Sequence, residues 1–309
     1  MRIGIIGAGG VGGYFGARWA AAGHDVTFVA RGYHLAALQN NGLMVYSPRG
    51  DLKINSFTAV ENLDDAPDLD LVIIAVKLWS TEQVARAVRA RAEKGTAIVS
   101  FQNGVTQYDI LQRELPEASL FGGVAFISAT IEAPGVIRHH NELQALSFGE
   151  FGGHETERVK AFKSACDDAV INAEISADIE SALWQKFVFL TGLSGTTAAM
   201  RQPIGPILEN SQTRTFLYEV MNEVVEIGRA RGVNLPYGFA DDRLEFCDSL
   251  PYDMRASMAH DLANGNRLEV AWLSGAVATY GRELGIATPC NRAVSDILAL
   301  YEDGERHTR

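Results

Sequence analysis

The sequence predicts an α/β fold: a doubly wound, mostly parallel sheet followed by an all-helical domain. Three observations carry that expectation. Short apolar runs alternate with helical segments through the first half of the chain. Glycines spaced G-x-G-x-x-G stand at the first strand–helix junction. From about Ile179 onward, strand signals give way to long helical patterns. Alternation of this kind builds a sheet with helices on both faces, whereas a run of helices builds a separate layer. With 309 residues the chain is long enough for two ordinary domains.

Taken in order, "RIGIIGAG" is a buried strand running into a glycine turn, and "GGYFGARWAAAGH" is a helix with small residues on one face. "DVTFVAR" is a second strand, and "YHLAALQNNGL" is a helix stopped at Asn41–Gly42. "MVYSPRGDLKINSFTAV" reads as a hairpin turning at Pro48–Gly50. "LDLVIIAVK" and "GTAIVSFQNG" are two further strands, with a helix between them over "STEQVARAVRARA". "SLFGGVAFISATIEAPGVIRHH" and "ALSFGE" read as strands near the sheet edge. Helices are expected over 179–191, 213–231, 253–264 and 267–284. The change of character places a domain boundary near Ile175, giving 1–175 as a mixed α/β domain and 176–309 as an all-helical one. No low-complexity linker separates them.

Composition narrows the function. Hydrophobic residues at 47% and charged residues at 21% describe a folded globular chain. A net charge of −11 argues against nucleic acid or an anionic membrane surface as partner. Cys166, Cys247 and Cys290 are odd in number, far apart and without metal-type spacing, which fits free thiols in a reducing cytoplasm. The seven histidines show no ligand pairing, so no metal is expected. "MRIGIIGAGG" lacks the apolar core of a signal peptide, and no apolar run reaches membrane-spanning length. The expected location is therefore cytoplasmic.

The glycine run, Gly7, Ala8, Gly9, Gly10, Val11 and Gly12, lies directly after a strand and opens a helix. In that context Gly7 permits the tight turn, Gly9 lets the backbone approach a pyrophosphate, and Gly12 lets helix pack on strand. The helix N-terminus adds unpaired N–H groups and partial positive charge. A Rossmann-type dinucleotide site follows. At the end of the second strand, "FVARG" places Arg31 where an NAD site carries an acid. A guanidinium there suits a 2′-phosphate, so the expected cofactor is NADPH/NADP. Lys77 and Asn103 end two more strands and face the same crevice, because ligands in such sheets bind at the carboxyl ends of strands.

"ALWQKFVFLTGLSG" carries one cation, Lys186, on a helical face shared with Leu183 and Leu190. Two readings stand open on the local pattern: an alkyl stem snorkelling to water, or a proton donor held in a cleft.

Together, "GIIGAGGVGGYFGA", "AVK", "FQNG", "WQKF" and "SMAHDLANGNRLEVAWLSGAV", in that order along the whole chain, resemble the ketopantoate reductases (2-dehydropantoate 2-reductases). These are NADPH-dependent enzymes with a Rossmann domain and a helical C-terminal domain. The resemblance implies that Lys186 donates the proton and contacts substrate. It implies that Glu269, near the nicotinamide ribose, orients this lysine. It also implies that Ser257 binds the substrate carboxylate, that Asp261 supports the site, and that Lys77, Asn103 and Ala129 line the cofactor, with Asn103 also within reach of substrate. Without the resemblance, Glu269 reads as a surface acid beside Arg267.

The chain departs from that pattern where the family's best-known members carry substrate-binding asparagines. Those positions are Leu190, Ser194 and Ile204 here. Leucine and isoleucine donate no hydrogen bonds, and serine reaches less far. Either other groups bind ketopantoate, among them Ser194, Thr197, Arg201, Ser257 and Asn264, or the substrate is a less polar 2-keto acid or a related carbonyl or imine. An NADPH-binding regulator without turnover is the alternative outside enzymology. The expected partner is a small-molecule 2-keto acid. The apolar helices "FLYEVMNEVVEIG" and "VAWLSGAVATYG" suit either core or a homodimer contact.

Overall fold

The computed structural model of the chain describes residues 1–304. The chain divides into two compact units, one made of Met1–Asn103 and Gln107–Ala182, the other of Gly104–Thr106 and the chain from Leu183 on.

The first unit runs β1 (Arg2–Ile6), α1 (Gly10–Ala21), β2 (Asp25–Val29), α2 (Gly32–Asn41), β3 (Leu43–Tyr46), β4 (Leu52–Ile54), β5 (Thr58–Val60), β6 (Leu71–Ile74), α3 (Thr81–Ala92), β7 (Ala97–Ser100), α4 (Thr106–Glu114, whose first residue belongs to the other unit), β8 (Leu120–Ala133), β9 (Val136–Gly149), α5 (Glu157–Asp168) and β10 (Asn172–Ile175). The strands order as β4-β3-β9-β8-β7-β6-β1-β2-β5, and β10 pairs with β9. From β5 through β1 to β8 every pairing is parallel. The chain leaves β1 for β2 on one side and returns to β6 on the other, so the strand order reverses beside β1. That reversal is the topological switch point where such sheets bind ligands.

β6 and β7 are buried along their whole length, and β1 and β2 are buried after their first residue. Covering a parallel sheet with helices on both faces produces this pattern. One side of the core is aromatic. Phe162 of α5 lies 4.5 Å from Phe148 and 5.6 Å from Trp19 between ring centroids. α1 approaches the sheet closely because it presents glycine: a Cβ on Gly16 would lie 2.5 Å from Ile5 Cδ1.

β8 and β9 lie near the edge but do not form it. They make an antiparallel hairpin of two 14-residue strands, with β4 and β5 at the ends of the strand order and β10 paired to β9. The β3–β4 hairpin causes this, because it adds parallel to β9 beyond a strand that the local sequence shows only as amphipathic.

The second unit is built of α6 (Ile179–Ala199, whose first residues belong to the other unit), α7 (Ile204–Glu209), α8 (Ser211–Ala230), α9 (Phe239–Asp248), α10 (Ser257–Ala263), α11 (Ser274–Leu284) and α12 (Pro289–Leu298). α6 runs eight residues past the expected stop at Thr191. Gly192 and Gly195 look like a terminus but are packing positions. A Cβ on Gly192 would collide with Met221 of α8, and one on Gly195 would lie 3.1 Å from Ser274 and Val294. Thr196 and Thr197 donate their hydroxyls to the carbonyls of Gly192 and Leu193, so neither interrupts the helix.

The expected helix over 267–284 is shorter. A 3-10 turn at Val270–Trp272 is followed by Leu273 at φ −104°, ψ −103°, and α11 starts only at Ser274. Likewise, only Ser257–Ala263 of 253–264 is helical. α9 and α12 are not among the helices expected from the sequence; α9 is only weakly amphipathic, whereas α12 is strongly so. α12 has Pro at its first position, and the buried Glu223 of α8 holds its N-terminus, accepting the N–H groups of Cys290 (2.7 Å) and Asn291 (2.8 Å).

Candidate functional site

The glycine loop lies at the switch point. Gly7 takes φ +101°, and its N–H donates to Val29 at 3.1 Å, which ties the turn to the end of β2. A Cβ there would lie 2.8 Å from the backbone of Ala75, just past β6. Gly12 has no room either: a Cβ would drive into the Gly7 carbonyl and come 2.9 Å from Ile5 Cγ2. Gly9 differs. It caps α1 at φ −77°, ψ −161°, and no atom lies within 4 Å of where its Cβ would stand. Its lack of a side chain serves nothing inside the protein. The open space lies at the end of a 12-residue helix whose first N–H groups no side chain caps. That combination fits a phosphate group, which needs close backbone approach and free donors.

Gly10 is used against the protein. Its Cα presses on the backbone of Ala129 in β8, where a Cβ would be 2.6 Å from the carbonyl carbon and 3.0 Å from Thr130 N. Gly13 abuts Ile137 of β9 in the same way. Ala129 therefore stands directly beside the loop. Ala8 is buried, and Val11 is partly buried.

Arg31 caps α2 just past β2 and is exposed. Lys77 follows β6, partly buried, with its ammonium 5.8 Å from the Trp79 ring centroid. Asn103 follows β7 in the same unit. A network that spacing does not reveal joins the two strand ends. Ser100 donates to Gln102 Oε1 (3.0 Å), and Gln102 Nε2 donates to Thr81 Oγ1 (2.9 Å). Thr81 in turn donates to the Leu78 carbonyl (2.7 Å). Tyr108, whose hydroxyl donates to the Ser100 carbonyl and accepts the Gly123 N–H, braces the same strand end from α4. Gln102 was visible in "FQNG" only as a loop amide. Its buried position makes it a strut between the segments that carry Lys77 and Asn103.

In the second unit Lys186 sits mid-way along α6, partly buried, with Leu183 and Leu190 on the same helical face. Burial pushes its ammonium down from the ordinary 10.5 to about 8, and the charge of Glu269 opposes that fall. Glu269 is only 6% exposed, so it is not a surface acid. The break before α11 places it: Glu269 precedes the 3-10 turn, and its carbonyl accepts the N–H groups of Trp272 (3.0 Å) and Leu273 (3.2 Å). Arg267 pairs with Asp303 at 4.0 Å and stacks on Trp272.

Ser257 opens α10 and is exposed. Asp261, one turn on, accepts from the Asn266 backbone (2.8 Å) at its carbonyl and from the Asn266 side chain (3.3 Å) at its carboxylate. Ser194 lies two turns beyond Lys186 and is 1% exposed, with Oγ making no hydrogen bond among the described residues. Leu190 is partly exposed on the turn between them. Ile204 is fully buried, and its N–H is bonded to Met254.

Arg201, at φ +54°, stacks on Tyr301 (5.0 Å) and borders a surface groove of about 610 Å³ with Thr197, Arg255, His260 and Asn266. Ser257 and Asp261 are not among the residues that line it, although Asp261 is bonded to Asn266. Among the described residues no group of three metal-type side chains could hold an ion, and no helix is long and apolar enough to cross a membrane.

Comparison with known proteins covers nearly the whole chain. Residues 3–153 match the family description "Ketopantoate reductase PanE/ApbA", and residues 178–302 match its C-terminal counterpart. A Bacillus subtilis protein described as the uncharacterized oxidoreductase YkpB is 30% identical over 302 residues, 98% of this chain and 99% of that one. The 2-dehydropantoate 2-reductase of Archaeoglobus fulgidus is also 30% identical, over 98% of this chain and 99% of its own. The crystal structure of a PanE/ApbA family ketopantoate reductase from Ralstonia eutropha superposes with a TM-score of 0.89 at 29% identity, covering 98% of each chain. The chain therefore belongs to the ketopantoate reductase family, oxidoreductases that act on a CH–OH group with a nicotinamide cofactor.

Proposed function

We propose that this protein reduces a 2-keto acid to the 2-hydroxy acid with NADPH, and that 2-dehydropantoate is the first substrate to test. The observation that carries the reading is the couple of Lys186 and Glu269. A lysine with a pKa of about 8 is still about ten-to-one protonated at pH 7 and releases its proton more readily than an exposed one. The reduced nicotinamide, when bound, supplies the hydride that adds to the ketone carbon. Lys186 stabilises the charge that develops on the carbonyl oxygen and donates the proton that completes the hydroxyl. Glu269 keeps the ammonium charged in a partly desolvated setting. Ser257 and Asn103 are assigned to the substrate, with Asp261 and Ser194 supporting it. The glycine loop, Lys77, Asn103 and Ala129 are assigned to the cofactor, with Glu269 at its ribose. The division of labour is a cofactor domain over 1–175 and a substrate and catalytic domain over 176–309.

The choice of NADPH rests on Arg31, a cation at the end of β2 with no carboxylate paired to it among the described residues. Leu190, apolar and partly exposed one turn from Lys186, favours a second reading in which the substrate carries an apolar side chain. Three cysteines without disulfides fit a reducing compartment.

The test is a steady-state assay of NADPH oxidation against a panel of polar and apolar 2-keto acids, with Lys186→Ala as control. Turnover on 2-dehydropantoate that Lys186→Ala abolishes supports the first reading, and preference for an alkyl or aryl keto acid supports the second. No turnover on any keto acid by protein that binds NADPH points to the non-catalytic regulator. Turnover undiminished in Lys186→Ala removes the assigned donor. Arg31→Ala should weaken NADPH far more than NADH.

A further inference from the structure

The groove beside Arg201 has no part in the proposed reaction. Its volume of about 610 Å³ is that of a small-molecule site, and its lining lies wholly within the second unit. Ala198 of α6, Leu262 of α10 and Tyr301 give it apolar surface, and Arg201, Arg255 and His260 give it N–H donors. Lys186, Ser257 and Asp261 do not line it. Ala198 stands twelve residues beyond Lys186 on one continuous helix. That is about 18 Å of rise, farther than a small keto acid reaches.

Charge in the groove is one-sided. No aspartate or glutamate lines it. The Arg255 side chain, partly buried, makes no hydrogen bond or ion pair among the described residues, and the Arg201 guanidinium makes only its stack on Tyr301. Elsewhere in this chain of net charge −11, arginines find acids: Arg2 meets Asp70 and Arg214 meets Asp248, each at 2.6 Å. Backbone geometry adds a second indication. Arg201 closes α6 at φ +54°, its N–H on the Ala198 carbonyl at 3.3 Å. Glycine fills that left-handed position without strain, whereas arginine holds it at a cost. A guanidinium forks onto carboxylate or phosphate oxygens, and two of them beside an apolar wall suit an anion on an apolar body.

We propose that this groove is a second ligand site, for a small amphipathic anion: a carboxylate or phosphate held by Arg201 and Arg255, with an alkyl or aryl body against Ala198 and Leu262. The site is independent of the keto-acid reading, since no residue given a role in that reaction lines it.

Calorimetric titration of the full-length protein with phenyl phosphate, benzoate, inorganic phosphate and benzyl alcohol tests it, with thermal melts alongside. The proteins compared are wild type, Lys186→Met, Arg201→Gly and Arg255→Gln. At least one aryl anion is expected to bind wild type and Lys186→Met alike, at least about tenfold more tightly than benzyl alcohol or inorganic phosphate. Each arginine variant should weaken it about tenfold. The tighter of the two aryl anions identifies the head group as phosphate or carboxylate. Arg201→Gly eases the left-handed backbone, so it should lose the ligand while melting no lower than wild type. A merely structural arginine predicts the reverse, a lower melting temperature with binding unchanged. That outcome overturns the proposal, as does the absence of binding by either aryl anion. Binding lost in Lys186→Met places the probe at the keto-acid site and overturns the proposal while leaving that reading standing.

Discussion

Gly9→Ala separates ligand approach from packing inside a single sequence motif. At Gly9 the added methyl meets nothing within 4 Å, and φ −77°, ψ −161° is open to any L-residue. Losing glycine's freedom in the unfolded chain stabilises by about 0.4–1 kcal/mol. Placing alanine at a helix N-cap costs roughly as much. The variant should therefore unfold within about 1 kcal/mol of wild type. Its effect falls on the ligand. A pyrophosphate hydrogen-bonded to the end of α1 must occupy the space the methyl takes, and a Kd raised at least about tenfold, about 1.4 kcal/mol, is expected. Gly12→Ala is the contrast. Its Cβ enters the Gly7 carbonyl and stands 2.9 Å from Ile5 Cγ2, so it should destabilise by about 1–3 kcal/mol or more. The assay is paired: urea unfolding without cofactor, and NADPH titration well below the unfolding transition. Unchanged NADPH affinity in Gly9→Ala would refute the reasoning, as would a loss of stability matching Gly12→Ala.

Four further outcomes are expected. The pH profile of keto-acid reduction should fall with unit slope above about pH 8 as Lys186 loses its proton, and Glu269→Gln should move the break to lower pH by removing the opposing charge. Because this pKa is lowered on folding, the unfolded chain holds the proton more tightly between about 8 and 10.5; stability from this group rises with pH across that window, a slope Lys186→Met should remove. Glu223→Ala strips acceptors from Cys290 N, Asn291 N and Asn291 Nδ2 at the start of α12, and should cost at least about 2 kcal/mol in thermal or urea unfolding with NADPH affinity unchanged. Gln102→Leu breaks the strut from Ser100 to Thr81, and should cost about 1–3 kcal/mol and weaken NADPH, read by melting and titration together.

The alternation of strand and helix, the glycine loop and the second strand's closing arginine were legible because each depends on neighbours within a few residues. A buried parallel strand is apolar throughout, and a tight turn needs its own glycine. The position of the β8–β9 hairpin was not legible, since which strands flank it depends on where β3 and β4 return, a pairing across some 90 residues. The same limit applied to α6. Gly192 and Gly195 carry the signature of a helix end, and only Met221, Ser274 and Val294 packed against them show that the helix continues.

What the sequence by itself determined is the chemistry available: a glycine turn suited to a phosphate, a cation in place of the acid after β2, and a lysine on an apolar helical face. Tertiary structure decided how that chemistry is disposed. It buried Glu269, just ahead of the helix interruption at Leu273, and set its charge against the desolvation of Lys186. It split the glycines of one motif between tight turn, open space and hairpin contact. It also turned Gln102, an ordinary polar residue in the sequence, into a strut. The physical reason is common to all of these: burial and charge–charge coupling depend on distance in space, and a side chain's sequence neighbours do not fix that distance.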